Sequence, residues 1–350
     1  MLRLRISRLL LVLPIAAGGC RDVSIAAELS QPLPVMVTPA PGGPVTPEQI
    51  LPPNTNGILP PGAADEVLPV GAQPVIKLLE PGAAPQADLS YALVKGRSDK
   101  MLMSMDMSVS VKMSGQSMQQ TPTPRMTMTF DATASDESTT GEFRIDSLLS
   151  AVGVEPDGEQ QEQMARTLRP ELEAMKGLGM SYWVSPKGRV RDVKLNIPPD
   201  MSASAQQLLN GMSQSFESMV TPLPAEPVGV GARWQLVTRV ASGGADILQV
   251  AVYTLKSRAG NRATLEASFM QLAANDVIHG PQMPADMSAK VKALRSSGTG
   301  STQIDVNSVT PEGGTMTSKT GMDIAIQGGG PDSGGDTTVE TTTTVEVSRL

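Results

Sequence analysis

From residue 101 to residue 113 apolar and polar positions alternate. Met101, Met103, Met105, Met107, Val109, Val111 and Met113 are interleaved with Leu102, Ser104, Asp106, Ser108, Ser110 and Lys112. Successive side chains of a β-strand point to opposite faces, so this pattern predicts a long half-buried strand. Met126, Met128, Phe130, Ala132 and Ala134 repeat it against Thr127, Thr129, Asp131 and Thr133, and a third strand is predicted over Gly141 to Leu148. The period then lengthens. Gly158 to Gly177 places Met164, Leu168, Leu172 and Met175 on one helical face. Pro170 is expected to kink or restart that helix, because proline removes a backbone donor.

A hairpin follows, with Met180 to Ser185 and Arg189 to Ile197 joined by Pro186-Lys187-Gly188. A second amphipathic helix is predicted near 202–220, where Ala205, Leu208, Leu209, Met212, Phe216, Met219 and Val220 form a wide apolar stripe. Strands return at Arg233 to Ala241, Asp246 to Arg258 and Arg262 to Leu272, divided by Gly243-Gly244 and Gly260-Asn261. Later strands are predicted near Gly300 to Ser308, Gly314 to Gln327 and Thr337 to Val347. No fixed-period repeat runs through the chain. The fold class read from this pattern is α+β, in one domain over 88–350. It is a curved antiparallel β-sheet or half-barrel of about ten strands with two inserted amphipathic helices.

Ahead of that domain the pattern changes character. Arg3, Arg5 and Arg8 precede the apolar stretch Leu9 to Ala17, and Ala17-Gly18-Gly19-Cys20 follows. This is the layout of an export signal over residues 1–19, too short to span a bilayer. The small-small-Cys ending resembles a bacterial lipobox, which implies an acylated Cys20 as the membrane anchor; Ala17 departs from the leucine usual at that position. With Arg21 and not Asp after the cysteine, the outer membrane facing the periplasm is the expected address. From Asp22 to Ala87 the chain holds 14 of its 29 prolines and no aromatic residue. That composition reads as a disordered tether, 20–87 with its lipidated end. Val75-Ile76-Lys77-Leu78-Leu79 is the stretch within it read as able to dock on the body.

Charge and rare residues narrow the chemistry. Lys and Arg number 28 against 35 Asp and Glu, a net charge of −7, so the chain repels phosphate backbones and nucleic acid is an unfavourable partner. One histidine (His279, in a predicted loop) and one cysteine leave no Cys/His dyad and no histidine-rich metal cage. The chain shows no nucleophile elbow, phosphate loop or calcium loop. It is read as non-enzymatic, without cofactor or metal. Alternating strands also suit an outer-membrane barrel, but nine aromatic residues are too few for two girdles.

Methionine is the abundant oddity, 21 against nine aromatics. A methionine stripe can be packed core, or a deformable surface that accepts varied apolar partners. The ligand reading takes Met103, Met105, Met107, Met126 and Met128 on the strands with Leu208, Met212 and Phe216 on the second helix. Leu223-Pro224-Ala225-Glu226-Pro227-Val228-Gly229-Val230-Gly231-Ala232-Arg233-Trp234 resembles a motif of an uncharacterised family of bacterial lipoproteins, over residues 88 to about 327. Within it Pro227, Gly229, Gly231 and Trp234 are read as structural: glycines for a sharp turn into a strand, tryptophan as its plug. The order of strands and helices is also similar to periplasmic lipoprotein carriers, a resemblance that implies acyl chains held between a half-barrel and its helices. Two functions follow as expectations. One is a tethered module binding a lipid, an acylated ligand or another apolar molecule. The other is a structural or interaction lipoprotein with no small-molecule ligand.

Overall fold

The computed structural model describes residues 56–113, 116–117, 121–199, 201, 220–242, 244–278, 287–328 and 335–350. Cys20, His279 and the helix predicted near 202–220, with Leu208, Met212 and Phe216, lie outside them.

The described chain opens with a short helix, α1 (Ala63–Val67), and an edge strand, β1 (Val75–Glu80). β2 (Ser98–Met113) carries the methionine alternation, with β3 (Gln116–Ser117) and β4 (Thr121–Pro122) paired on it. β5 (Arg125–Glu137), β6 (Phe143–Glu155), helix α2 (Glu159–Glu173), β7 (Gly179–Val184) and β8 (Val190–Asn196) follow. The second half is all strand: β9 (Arg233–Ser242), β10 (Ala245–Ala259), β11 (Arg262–Ile278), β12 (Met287–Asp305), β13 (Gly313–Gly328) and β14 (Gly335–Arg349). The strands form one 14-stranded sheet ordered β1-β9-β10-β11-β12-β13-β14-β2-β5-β6-β7-β8, with β3 and β4 off that path. Every ladder between these strands is antiparallel. The sheet is antiparallel as expected, with more strands than the pattern predicts.

Register gives the sheet two unlike faces. Met103 pairs with Met128 and Val347, and Met105 with Met126 and Val345, so the methionines share one face with the β14 valines. This Met face carries the main core. Met101, Met107, Met126, Met128, Phe130, Ile145, Tyr182 and Val184 are buried there with Trp234, Leu255, Leu265 and Ile304 from the other half of the sheet. Helix α2 docks Leu172, and Met175 beyond its end, onto the same cluster. Glu159 and Glu162 suit the positive N-terminal end of that helix. The helix runs on through Pro170, whose carbonyl accepts from the Ala174 N–H at 3.1 Å, so the expected restart does not occur.

The tether reading needs correction over 56–87. There α1 and Leu59 bury Ala64, Leu68 and Leu59 against Val237, Leu248, Val250 and Leu272, on the face opposite the methionines. β1 pairs with β9 from Val75↔Val237 to Glu80↔Arg233. Between Gln271↔Ser296 and Val277↔Lys290, β11 and β12 have no direct ladder. Residues 56–59 fill the gap: the Ala273 N–H donates to Gly57 O, the Leu59 N–H to Ala273 O and the Leu294 N–H to Asn56 O, each at 2.8 Å. Leu59, Ala64 and Leu68 are therefore core, while Val67, Val70 and Val75 stay exposed. The prolines of this stretch flank the short elements instead of interrupting them.

Candidate functional site

The segment from Leu223 to Trp234 finds its explanation in that same stretch. The Gly229 N–H donates to Pro81 O at 2.8 Å and the Ala83 N–H to Val230 O at 2.8 Å, while Ala87 and Val228 exchange both backbone bonds at 3.1 and 3.0 Å. A Cβ on Gly229 would overlap the Ala83 carbonyl oxygen, so glycine is required by close approach of the docked chain. Gly231 supplies the turn, at φ 85°. Trp234 is fully buried, stacks on Tyr253 at 5.7 Å between ring centroids, and donates its indole N–H to Pro222 O at 3.1 Å. Burial pushes the Tyr253 hydroxyl up to about 12. The motif is thus a docking seam for residues 81–87, a role the sequence reading assigned only to strand entry.

From the seam the chain crosses the ends of several strands. The Tyr91 N–H donates to Pro186 O in the β7–β8 turn at 2.7 Å, and the Ala92 N–H to Val306 O after β12 at 2.8 Å. Lys187 pairs with Asp88 at 2.6 Å, and with the Ser90 hydroxyl it holds the Asp88 carboxyl below its usual range. At the far side of this rim Asp99 and Asp305 meet Arg97 and Arg349. Burial would raise Asp305. The Asn307 N–H and the two guanidinium charges outweigh it and hold that carboxyl low. This rim ties segments together, and its charges are paired.

The Met face between the rims has a different chemistry. Of the candidate residues, Met107, Met126 and Met128 are buried, whereas Met103 and Met105 are partly exposed, as are Val109, Val152, Val154 and Val347 beside them. Across β14 the apolar strip ends on a neutral polar row. Gln271 donates to Gln249 at 2.9 Å, Ser296 donates to Gln271 at 2.7 Å, and Ser296 and Thr320 share a bond of 2.8 Å. Thr320 pairs with Thr341, and Thr341 with Val109 on β2, so the row abuts the methionine strip. Ser318 and Thr343 lie one pair further along, next to Met107. Met316, on the same face, is 45% exposed. Gly298 and Gly300 leave this part of β12 without side chains, and the Phe269 ring lies over Gly298.

No Asp, Glu, Lys or Arg projects onto this face along Ile247–Leu255, Leu265–Ala273, Ser296–Thr302, Gly314–Met322, Val339–Val347, Met101–Val111, Met126–Ala134 or Met180–Val184. Charges sit on the opposite face instead, in pairs such as Arg125–Asp106, Lys112–Glu340, Lys256–Glu266 and Arg295–Asp323. A groove of about 450 Å³ opens there, lined by Asn56, Lys292, Arg295, Asp323 and Asp336. Its cations are bound to its anions, Lys292 to Asp336 at 2.6 Å and Arg295 to Asp323 at 3.0 Å. Among the described residues no cluster of three or more His, Cys, Asp or Glu could hold a metal, and no helix is long and apolar enough to cross a membrane.

No protein-family model matches the chain, and no curated protein matches it. Among solved structures, the chain is similar to that titled "Crystal Structure of Pseudomonas aeruginosa OccK11 (OpdR)". The overlap covers 74% of this chain and 98% of that one, at 8% identity and a TM-score of 0.20. At that score the likeness carries no argument.

Proposed function

We propose that the protein is a non-enzymatic lipoprotein of the bacterial cell envelope, held to the outer membrane through acylated Cys20, whose sheet takes a lipid or other apolar ligand on its Met face. The observation that carries this reading is the uncharged, partly exposed strip of Met103, Met105, Val109, Val152 and Val154 beside a packed core. Flexible thioethers on rigid strands suit chains of varied length and bend.

A half-barrel is the shape this reading requires, and the packing supports it. β9 and β7 stand nine places apart in the strand order, about 43 Å in a flat sheet at usual strand spacing. Yet Trp234 of β9 donates to Pro222 O at 3.1 Å, and the next residue, Leu223, donates its N–H to Lys187 O in the β7–β8 turn at 2.9 Å. The second reading, a structural lipoprotein without small ligand, is favoured by the burial of Met107, Met126 and Met128 in the main core, which leaves those three little free surface.

The anchor is tested by labelling cells with a radioactive fatty acid. Wild-type protein should take up label, and Cys20→Ser should take up none and leave the membrane fraction. An unlabelled wild type contradicts the anchor. The ligand is tested by uptake of a fluorescent acyl-chain probe into purified protein, and absence of uptake contradicts it.

A further inference from the structure

We propose that the ligand of the Met face is a neutral lipid, with one or two acyl chains on an uncharged, hydroxyl-bearing headgroup; this rests on the apolar-ligand reading above. Two observations carry it. The Met face has no ionised side chain along the stretches between its rims, while the opposite face is rich in ion pairs. A phosphate or carboxylate on that face would lose its hydration and meet no countercharge, which is costly. A hydroxyl or ester loses far less, provided that hydrogen-bonding groups replace the water.

Those groups stand next to the strip. Gln249, Gln271, Ser296 and Thr320 form a row of neutral donors and acceptors over four adjacent strands. A glutamine amide has two N–H donors and a carbonyl with two lone pairs, so the single bonds given and accepted by Gln271 leave it further capacity. Thr341 and Thr343 on β14, and Ser318 on β13, continue the polar patch to the edge of the methionines at Val109 and Met107. The patch and the strip meet along the β14–β2 ladder, as a polar head meets its chain. A headgroup over Ser318, Thr320, Thr341 and Thr343 places its chain over Met105 and Met103, toward Val152 and Val154. A core filler needs no such division between two halves of one face.

The test uses the full-length, acylated protein in detergent, stripped of lipid, with radiolabelled 1-monooleoylglycerol and oleate at pH 8 as probes. They share a chain and differ in headgroup charge. Monooleoylglycerol should bind at least tenfold more tightly. Thr341→Val, which removes one hydroxyl at constant shape, should weaken monooleoylglycerol severalfold and leave oleate unchanged. Gln271→Leu should narrow the preference further, provided its circular dichroism and melting match the wild type; Thr341→Val decides the matter otherwise. Equal or tighter binding of oleate, or a Thr341→Val effect on both probes alike, overturns the neutral-lipid assignment while the apolar-ligand reading stands. Binding of neither probe removes both.

Discussion

A chain beginning at residue 88 should melt at least about 10 °C below one beginning at residue 56, or fail to fold. Leu59 and Leu68 are each buried, and returning such side chains to water costs about 1.5–3 kcal/mol apiece. Ile76 and Leu78 add to this, since both pack against buried core. Removing β1 also bares the edge of β9 from Arg233 to Val237, and with α1 gone Val237, Leu248, Val250 and Leu272 face water. Gly57→Val is the single-residue counterpart. Gly57 has φ 74°, and a Cβ there would overlap the Leu294 carbonyl oxygen, so the 56–59 insertion cannot seat. Thermal melts followed by circular dichroism decide the matter. If both shortened and full chains melt within a few degrees of each other, residues 56–87 are a tether after all.

Met128→Asp should unfold the protein, whereas Met105→Asp should leave it folded and unable to take up an acyl-chain probe. Both residues lie on the same face, two pairs apart in the β2–β5 ladder. Their surroundings differ. Met128 is 1% exposed, and a carboxylate there has neither water nor partner, a loss of several kcal/mol. Met105 is partly exposed at the edge of the cluster, so a carboxylate can keep water while placing a charge in the apolar strip. Chemical denaturation measures the first effect and probe fluorescence the second. Full probe uptake by folded Met105→Asp would show that the strip is not the binding surface.

Strands announced by strict alternation were legible: β2 and β5 carry it, and the turns at Pro186-Lys187-Gly188 and Gly260-Asn261 separate the hairpins as expected. The first half of β12 was not. A bulge between Val291 and Ala293 shifts the face, so Val291 and Leu294 share a cluster although their spacing is not that of a strand. α1 was hidden by composition, because five residues flanked by prolines resemble linker until a partner strand is known, whereas Val75–Leu79, read as able to dock, lies in β1. The methionine strip could be read from sequence, since it lies on two strands close in the chain. The polar row could not. Gln249, Gln271, Ser296 and Thr320 come from four strands, and only the ladder registers bring them abreast. Likewise the need for Gly229 is set by a carbonyl almost 150 residues earlier, which no local signal encodes.

The central claim is that this sheet holds a lipid, and native mass spectrometry of the full-length protein released gently from its own membranes tests it most directly. Wild type should carry a non-covalent adduct of lipid mass that survives mild activation, and Met105→Asp prepared in parallel should carry none. A wild-type spectrum showing only the acylated chain, free of any bound lipid, would contradict the account.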